Sequence, residues 1–201
     1  MKFKSYLQKI HSLENLNYVE NKIEQFPKII QEKIRVYKDL NKIHQRIIGL
    51  ELIEKAIKEL KFNNTISLYD INYNEYGKPF LPTNFDFSIS YTKDCVFLCT
   101  SERGKIGIDA EIWIEKEINT FEEYFSKKEW KIICSNNQPS KCFFEFWTRK
   151  EAFVKAVGMG VFVDLSTIEV IENSIEYNGE KWKIETQFIE EKYILSKVTN
   201  F

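Results

Sequence analysis

Two carboxylates lie on one face of Lys105–Glu111, a stretch whose alternating side chains are typical of a β-strand. With a repeat of two, Gly107, Asp109 and Glu111 point away from the apolar Ile106, Ile108 and Ala110. Asp109 and Glu111 would then lie about 6–7 Å apart along the backbone, close enough to bind one cation together. A strand end that carries solvated charges has the same pattern, so this stretch alone leaves both interpretations open.

A second group of charges falls on the predicted helix Lys141–Val157. On a helical wheel that starts at Cys142, Lys150 lies at about 80°, in the middle of the apolar arc, and Glu151 and Lys155 lie near its edge at about 180° and 220°. A buried ammonium is unfavourable unless it meets an anion or reaches solvent. These charges indicate a cleft with a negatively charged ligand; the alternatives are that Lys150 reaches solvent and that Glu151 and Lys155 are simply solvated.

A third candidate is Lys78 in the segment Gly77-Lys78-Pro79-Phe80-Leu81-Pro82. Proline fixes the backbone and glycine frees it, so Lys78 is expected on a loop of defined shape. An ordinary connection between strands would also have this composition.

The elements that must position these residues follow from periodicity and turn signals. The sequence predicts a helix over 39–60, an antiparallel meander and then a capping box at Ser126 and Glu129 that opens a further helix. The helix 141–157 would end at Gly158, and Asn178-Gly179 predicts a β-hairpin. The strands of the meander are expected at 65–71, 85–91, 95–100 and 105–111. Together these elements predict an α+β protein of two halves, 1–112 and 113–201, with the site between them.

Composition excludes several classes of function. The chain has 29 basic and 30 acidic residues, a net charge of −1, which disfavours nucleic-acid binding. Its four cysteines form no CxxC pair and it has two histidines, so we expect no zinc site. The first 15 residues lack the pattern of a signal peptide, and no apolar run approaches the roughly 18 residues of a membrane helix. We therefore expect a cytoplasmic protein that does not enter a membrane.

Four segments in this order, GKPFLP, FSISYT, IGIDAE and FWTRKEAFVKAVGMG, resemble the 4′-phosphopantetheinyl transferase superfamily. The chain length and the two halves are similar to its single-chain, surfactin-synthetase-activating type, and the resemblance covers roughly residues 30–165. It implies two similar α+β halves in a pseudo-two-fold arrangement and a monomer.

The resemblance also implies roles for individual residues. Asp109, Glu111 and Glu151 would hold Mg²⁺, and Glu151, Lys155 and Asp109 would be catalytic. The residues expected to bind coenzyme A are Lys33, Arg46, Lys78, Pro79, Ser90, Tyr91, Lys150 and Lys155.

Two places depart from the family pattern. The family's Asn-X-Ser-His segment has Ser88 and Tyr91 at its first and last positions here. Tyrosine can donate a hydrogen bond and stack on an adenine, but it cannot become a cation as histidine can. In the first long helix, the family's arginine position holds Gln45, and Arg46 follows it.

The implied function is Mg²⁺-dependent transfer of the phosphopantetheine arm of coenzyme A to a serine of an apo acyl or peptidyl carrier protein, with release of adenosine 3′,5′-bisphosphate. Either Glu151 or a metal-bound water would accept the serine proton. Two alternatives remain: a catalytically impaired module of the same fold that binds coenzyme A or a carrier protein, and a purely structural α+β protein. The sequence does not identify the carrier.

Overall fold

The computed structural model describes residues 3–10, 16–59 and 66–200. These residues form five α-helices, nine β-strands and four short 3₁₀ helices, which confirms the α+β class. The α-helices are α1 (Leu16–Glu24), α2 (Lys28–Arg35), α3 (Leu40–Glu59), α4 (Lys127–Ser135) and α5 (Pro139–Val157). The strands are β1 (Phe3–Lys9), β2 (Asn72–Tyr73), β3 (Pro79–Phe80), β4 (Asp86–Tyr91), β5 (Cys95–Ser101), β6 (Ile106–Ile112), β7 (Ser174–Tyr177), β8 (Glu180–Ile189) and β9 (Tyr193–Thr199). The 3₁₀ helices are Leu68–Asp70, Asn119–Tyr124, Gly160–Phe162 and Leu165–Thr167.

The first sheet is antiparallel, has the order β1-β5-β4, and packs against α3. The predicted helix 39–60 is confirmed as α3 over the described residues. The predicted strand 65–71 is wrong from 66 onward, and 65 lies outside the described residues. Ser67 accepts a hydrogen bond from the Tyr69 N–H while Asp70 accepts one from the Ser67 N–H, and this reciprocal cap stabilises a 3₁₀ turn instead.

The second sheet has the order β6-β9-β8-β7 and packs against α5. The capping box of Ser126 and Glu129 is confirmed at the start of α4, and Gly158 ends α5 with a φ of +80°. The helix begins at Pro139, two residues before the predicted start, because proline suits the first helical turn. The hairpin between β7 and β8 is confirmed at Asn178-Gly179.

The predicted meander is wrong at its last strand. The backbone of β6 pairs with β9 rather than with β5, so β6 belongs to the second sheet. The predicted boundary between the halves, after residue 112, would instead assign β6 to the first half. That boundary and the pseudo-two-fold relation of the halves stay predictions.

Strand β4 nevertheless runs beside β6, and alternate side chains of β4 join the two sheets. The N–H groups of Ile106, Ile108 and Ala110 donate to Asp86 Oδ2, Ser88 Oγ and Ser90 Oγ, at 2.8, 3.0 and 3.1 Å. This seam of side-chain hydrogen bonds takes the place of a backbone ladder between the sheets.

The described helices include none with both the length and the apolar character that crossing a membrane requires.

Candidate active site between the two sheets

A cavity of about 1000 Å³ opens beside the seam and is lined from both sheets. Most of the predicted site residues line it: Arg46, Lys78, Pro79, Ser90, Tyr91, Asp109, Glu111, Glu151 and Lys155. Lys33 and Lys150 do not contribute to the described lining. The structure therefore gathers the predicted acids with three of the predicted cations and separates two lysines from them.

Gly107 brings the acidic face of β6 against α5. A Cβ atom at this position would lie 1.9 Å from the Ala152 carbonyl oxygen and 2.4 Å from the Ala156 nitrogen, so the helix could not approach so closely beside any other residue. Sequence analysis did not identify this role, although Gly107 shares a strand face with the two acids. The close packing places Asp109 beside the α5 residues Glu151 and Lys155.

Asp109 is buried, with 5% of its surface exposed, and one of its oxygens is saturated while the other is open. Oδ1 accepts from Lys155 Nζ at 2.6 Å and from the Ser90 hydroxyl at 2.9 Å. Oδ2 is buried and has no hydrogen-bond partner among the described residues. Since a buried acceptor without a partner is unfavourable, Oδ2 is a place where a cation or a donor from a ligand would be stabilised.

The neighbouring carboxyl groups have raised pKa values. Burial, followed by the charge of Asp109, raises the pKa of Glu111 to about 7, with a smaller contribution from Glu151. Burial and Asp109 also raise the pKa of Glu151, and Lys155 opposes both shifts. Three carboxyl groups beside one lysine therefore disfavour further negative charge and favour a bound cation.

The three acids do not form a preformed cage. Across the described ranges, no three His, Cys, Asp or Glu side chains are arranged to hold a metal ion as they stand. The ligand set Asp109, Glu111 and Glu151 thus stays a prediction, supported by their common cavity and the open Asp109 oxygen.

The loop that carries Lys78 is fixed by Asn74. The side-chain oxygen Oδ1 of Asn74 accepts from the backbone N–H groups of Tyr76 and Lys78, and its side-chain Nδ2 donates to the Gly158 carbonyl at the end of α5. Gly77 has a φ of +85°, in the region that glycine adopts freely. Lys78 lines the cavity, and its Nζ lies 3.0 Å from Asp86 Oδ2, so its ammonium already forms an ion pair within the protein.

Arg46 and Tyr91 form a stacked pair on another wall of the cavity. The guanidinium carbon lies 3.8 Å from the centre of the Tyr91 ring and 5.0 Å from that of Tyr37. Gly49 makes room for the ring, since a Cβ there would lie 2.6 Å from the Tyr91 hydroxyl oxygen. Burial raises the pKa of this hydroxyl, although Arg46 opposes the shift, so the group is neutral and the cation on this wall is Arg46.

The predicted contact of Lys150 with coenzyme A is wrong. Lys150 is fully buried, and its ammonium lies 2.8 Å from a carboxylate oxygen of Glu129, which is also fully buried. Desolvation lowers the pKa of Lys150, while Glu129 opposes this shift. The helical wheel identified an ammonium that needs an anion, but the anion belongs to α4 of the protein itself.

Lys33 lies outside the cavity for a different reason. Its side chain is exposed, and its ammonium lies 4.5 Å from the centre of the Tyr73 ring. This contact is a cation–π interaction at an exposed site.

The cavity also has an aromatic wall, formed by Tyr124 and Trp147 with ring centres 5.7 Å apart in an edge-to-face arrangement. Trp147 lies one helical turn before Glu151, and this four-residue spacing in the sequence indicates that both side chains share one side of α5. Tyr124 belongs to a 3₁₀ helix that periodicity does not reveal.

Comparison with known proteins supports the resemblance. A model of the 4′-phosphopantetheinyl transferase superfamily matches residues 105–198. The chain is 32% identical over 143 residues to 4′-phosphopantetheinyl transferase gsp of Aneurinibacillus migulanus, covering 70% of this chain and 59% of that protein. It is 27% identical over 146 residues to 4′-phosphopantetheinyl transferase Sfp of Bacillus subtilis (strain 168), covering 70% and 63%. The chain thus spans about three fifths of the length of these relatives.

Among solved structures, the holo-[acyl-carrier-protein] synthase (AcpS) of Thermotoga maritima aligns at 17% identity with a TM-score of 0.37, covering 47% of this chain and 61% of that one. This similarity is too low to support a conclusion.

Proposed function

We propose that this chain, in which residues 105–198 match a model of the 4′-phosphopantetheinyl transferase superfamily, transfers the 4′-phosphopantetheine group of coenzyme A to a serine of an apo acyl or peptidyl carrier protein. Adenosine 3′,5′-bisphosphate would be the second product. The observation that carries this proposal is the open carboxylate oxygen of Asp109, held beside Lys155 in a cavity that both sheets line. A cytoplasmic location and a monomeric state belong to the same proposal.

The donor set fits a Mg²⁺ ion. Magnesium prefers carboxylate oxygens, and Asp109 presents one that is buried and unpaired. Glu111 and Glu151 line the same cavity, and burial together with the charge of Asp109 raises the pKa of each, so a nearby positive charge would stabilise their ionised forms. When bound, Mg²⁺ would supply neutralisation of the pyrophosphate charge of coenzyme A.

Two residues of α5 would supply the remaining steps, stabilisation of the developing phosphate charge and removal of the serine proton. Lys155 is partly exposed to the cavity and can donate to a phosphate oxygen on which charge develops, since its ammonium has three hydrogens and Asp109 and Ser90 accept two of them. Glu151 is one helical turn from Lys155, and its raised pKa makes it a stronger base than an ordinary carboxylate. We propose that it accepts the proton of the attacking serine.

We propose that Arg46, Tyr91 and Lys78 bind the nucleotide end of coenzyme A. Arg46 carries a fixed positive charge, and its guanidinium carbon lies 3.8 Å from the centre of the Tyr91 ring. This arrangement supplies, from α3, a cation beside the position where the family pattern has histidine. The ammonium of Lys78 adds a second positive charge at the same cavity.

The proposal is tested by incubating the purified chain with coenzyme A, Mg²⁺ and several apo carrier proteins, followed by intact-protein mass spectrometry. We expect at least one carrier to gain one phosphopantetheine group, and EDTA to prevent the gain. Glu54→Gln, an exposed partner of Lys58 on α3, is the control variant and should retain full activity. Coenzyme A binding without modification of any carrier would instead favour the non-catalytic binding module.

A further inference from the structure

The ammonium of Lys150 uses all three of its hydrogens inside the protein. It donates to a carboxylate oxygen of Glu129 and to the carbonyl oxygens of Leu165 and Ile168, the first two at 2.8 and 2.7 Å. Two of these three partners belong to the segment that follows α5. A lysine therefore connects the middle of α5 directly to the backbone of that segment.

Glu129 completes the connection from the other side. One of its oxygens accepts from the Ser126 N–H and from Lys150, and the other accepts from the Val170 N–H at 2.8 Å. Both charged groups are 0% exposed and fully hydrogen-bonded. The pair thus holds three backbone groups of residues 165–170 in fixed positions.

The segment 160–170, which we call the post-α5 segment, forms part of the cavity wall. Val163, Asp164 and Leu165 line the cavity beside the acids. The first residues of the segment are largely exposed, with Val161 at 95% and Phe162 at 69%, although the Phe162 ring contacts that of Tyr76. The polar anchors at 165–170 are therefore well placed to determine where this wall lies.

We propose that Lys150 is a positioning residue, which acts with Glu129 to set the cavity wall formed by the post-α5 segment and thereby the affinity for coenzyme A. A buried ion pair contributes little net stability compared with an apolar pair of similar volume. Apolar side chains, however, could not donate hydrogen bonds to the carbonyl oxygens of Leu165 and Ile168. The effect on coenzyme A rests on the proposed function, whereas the effect on the wall does not.

Three variants separate positioning from stability: Lys150→Met, Glu129→Gln and the double variant. Each single variant should lower the melting temperature, because Lys150→Met leaves a buried carboxylate without its cation and Glu129→Gln leaves a buried ammonium without its anion. The double variant should recover most of the melting temperature, since it buries no unpaired charge. Lys141→Met, on the same helix but outside the cavity lining, is the matched control.

The readouts are hydrogen exchange of the amides in 160–170, and KM and kcat for coenzyme A. In the double variant we expect exchange about tenfold faster in that segment, and a KM raised about tenfold with kcat changed less than about threefold, because the donors to the carbonyls are still missing. A purely structural role would restore exchange and KM together with the melting temperature.

Wild-type exchange in the double variant would overturn the proposal, and so would its failure to fold, which would make the pair a requirement of the fold as a whole. If the wild-type chain modifies no carrier, the proposed function fails. The exchange measurement, together with coenzyme A binding by calorimetry, still decides the role of Lys150 in that case.

Discussion

Two lysines of α5 each lie next to a carboxylate, and their surroundings differ completely. Lys150 and Glu129 are fully buried, and every hydrogen and every oxygen of the two charged groups has a partner within the protein. Lys155 and Asp109 are 2.6 Å apart at the cavity, where Lys155 is partly exposed and one oxygen of Asp109 has no partner among the described residues.

Unused hydrogen-bond donors and acceptors, rather than burial, therefore distinguish a reactive ion pair from a structural one. The Glu129–Lys150 pair has no capacity left for a ligand, so its charges can act only on the protein. The Asp109–Lys155 pair has one acceptor and one donor left for a ligand, and two further carboxyl groups with raised pKa values share its cavity.

The largest effect is expected from Glu151→Gln. The amide keeps the shape of the side chain but removes its charge and basicity, so turnover should fall by about 100-fold or more. The melting temperature should stay the same or rise, because the variant relieves repulsion from Asp109. Steady-state kinetics and thermal unfolding measure the two quantities. Near-normal turnover would remove Glu151 from the chemistry and weaken the transferase proposal.

Glu111→Gln should change how stability depends on pH. The pKa of Glu111 is raised from 4.5 to about 7, so between these values the folded protein keeps a proton that the unfolded chain has released. The free energy of unfolding of the wild type therefore contains a component that decreases as pH rises from about 4.5 to 7. Allowing for residual solvent screening, we expect this component to be about 1–2 kcal/mol and to be absent in the variant.

Denaturant unfolding of both proteins between pH 4.5 and 8, without metal, checks this difference. If the free energy of unfolding depended on pH in the same way in both proteins, Glu111 would titrate as an ordinary exposed carboxyl. The mutual repulsion of the acids around Asp109 and Lys155 would then be too weak to matter.

Tyr91→Ala should raise the KM for coenzyme A about three- to tenfold with a smaller change in kcat, because the variant removes the ring that holds Arg46. Tyr91→Phe keeps the ring face and serves as the control, with a KM close to that of the wild type. A fall in kcat at unchanged KM would place Tyr91 at the chemistry instead of at the nucleotide.

Lys33→Ala should have the smallest effect, below about twofold in both KM and kcat. This lysine is paired with a ring rather than with a carboxylate and lies outside the described cavity lining. A KM raised tenfold would mean that coenzyme A extends beyond the cavity to α2, and Lys33 would regain its predicted role.

Local periodicity in the sequence is sufficient to predict the position of a residue whose neighbours lie on its own helix or strand. Alternation along β6 predicted that Asp109 and Glu111 share a face, and the wheel of α5 correctly placed Glu151 and Lys155 at the edge of its apolar arc. The caps at Ser126 and Gly158 and the Asn178-Gly179 turn were also predictable, because each depends on a few adjacent residues.

Long-range partners were not predictable in the same way. The wheel showed that Lys150 needs an anion, but it could not show that Glu129, 21 positions earlier, supplies it. Proximity in sequence suggested that β6 pairs with β5, whereas β9 provides the backbone partner and serines of β4 bridge the seam. In both cases the interaction depends on elements that meet only after the chain folds.

Whether the open oxygen of Asp109 binds Mg²⁺ is tested by calorimetric titration of Mg²⁺ into the protein with coenzyme A bound, for the wild type and for Asp109→Asn. The variant keeps an oxygen for Ser90 and Lys155 but loses the charge of the open oxygen. We predict one Mg²⁺ site in the wild type and an affinity at least about tenfold weaker in Asp109→Asn. Equal Mg²⁺ affinity in the two proteins, or no Mg²⁺ binding to the wild type, would mean that the open oxygen of Asp109 is not a metal ligand.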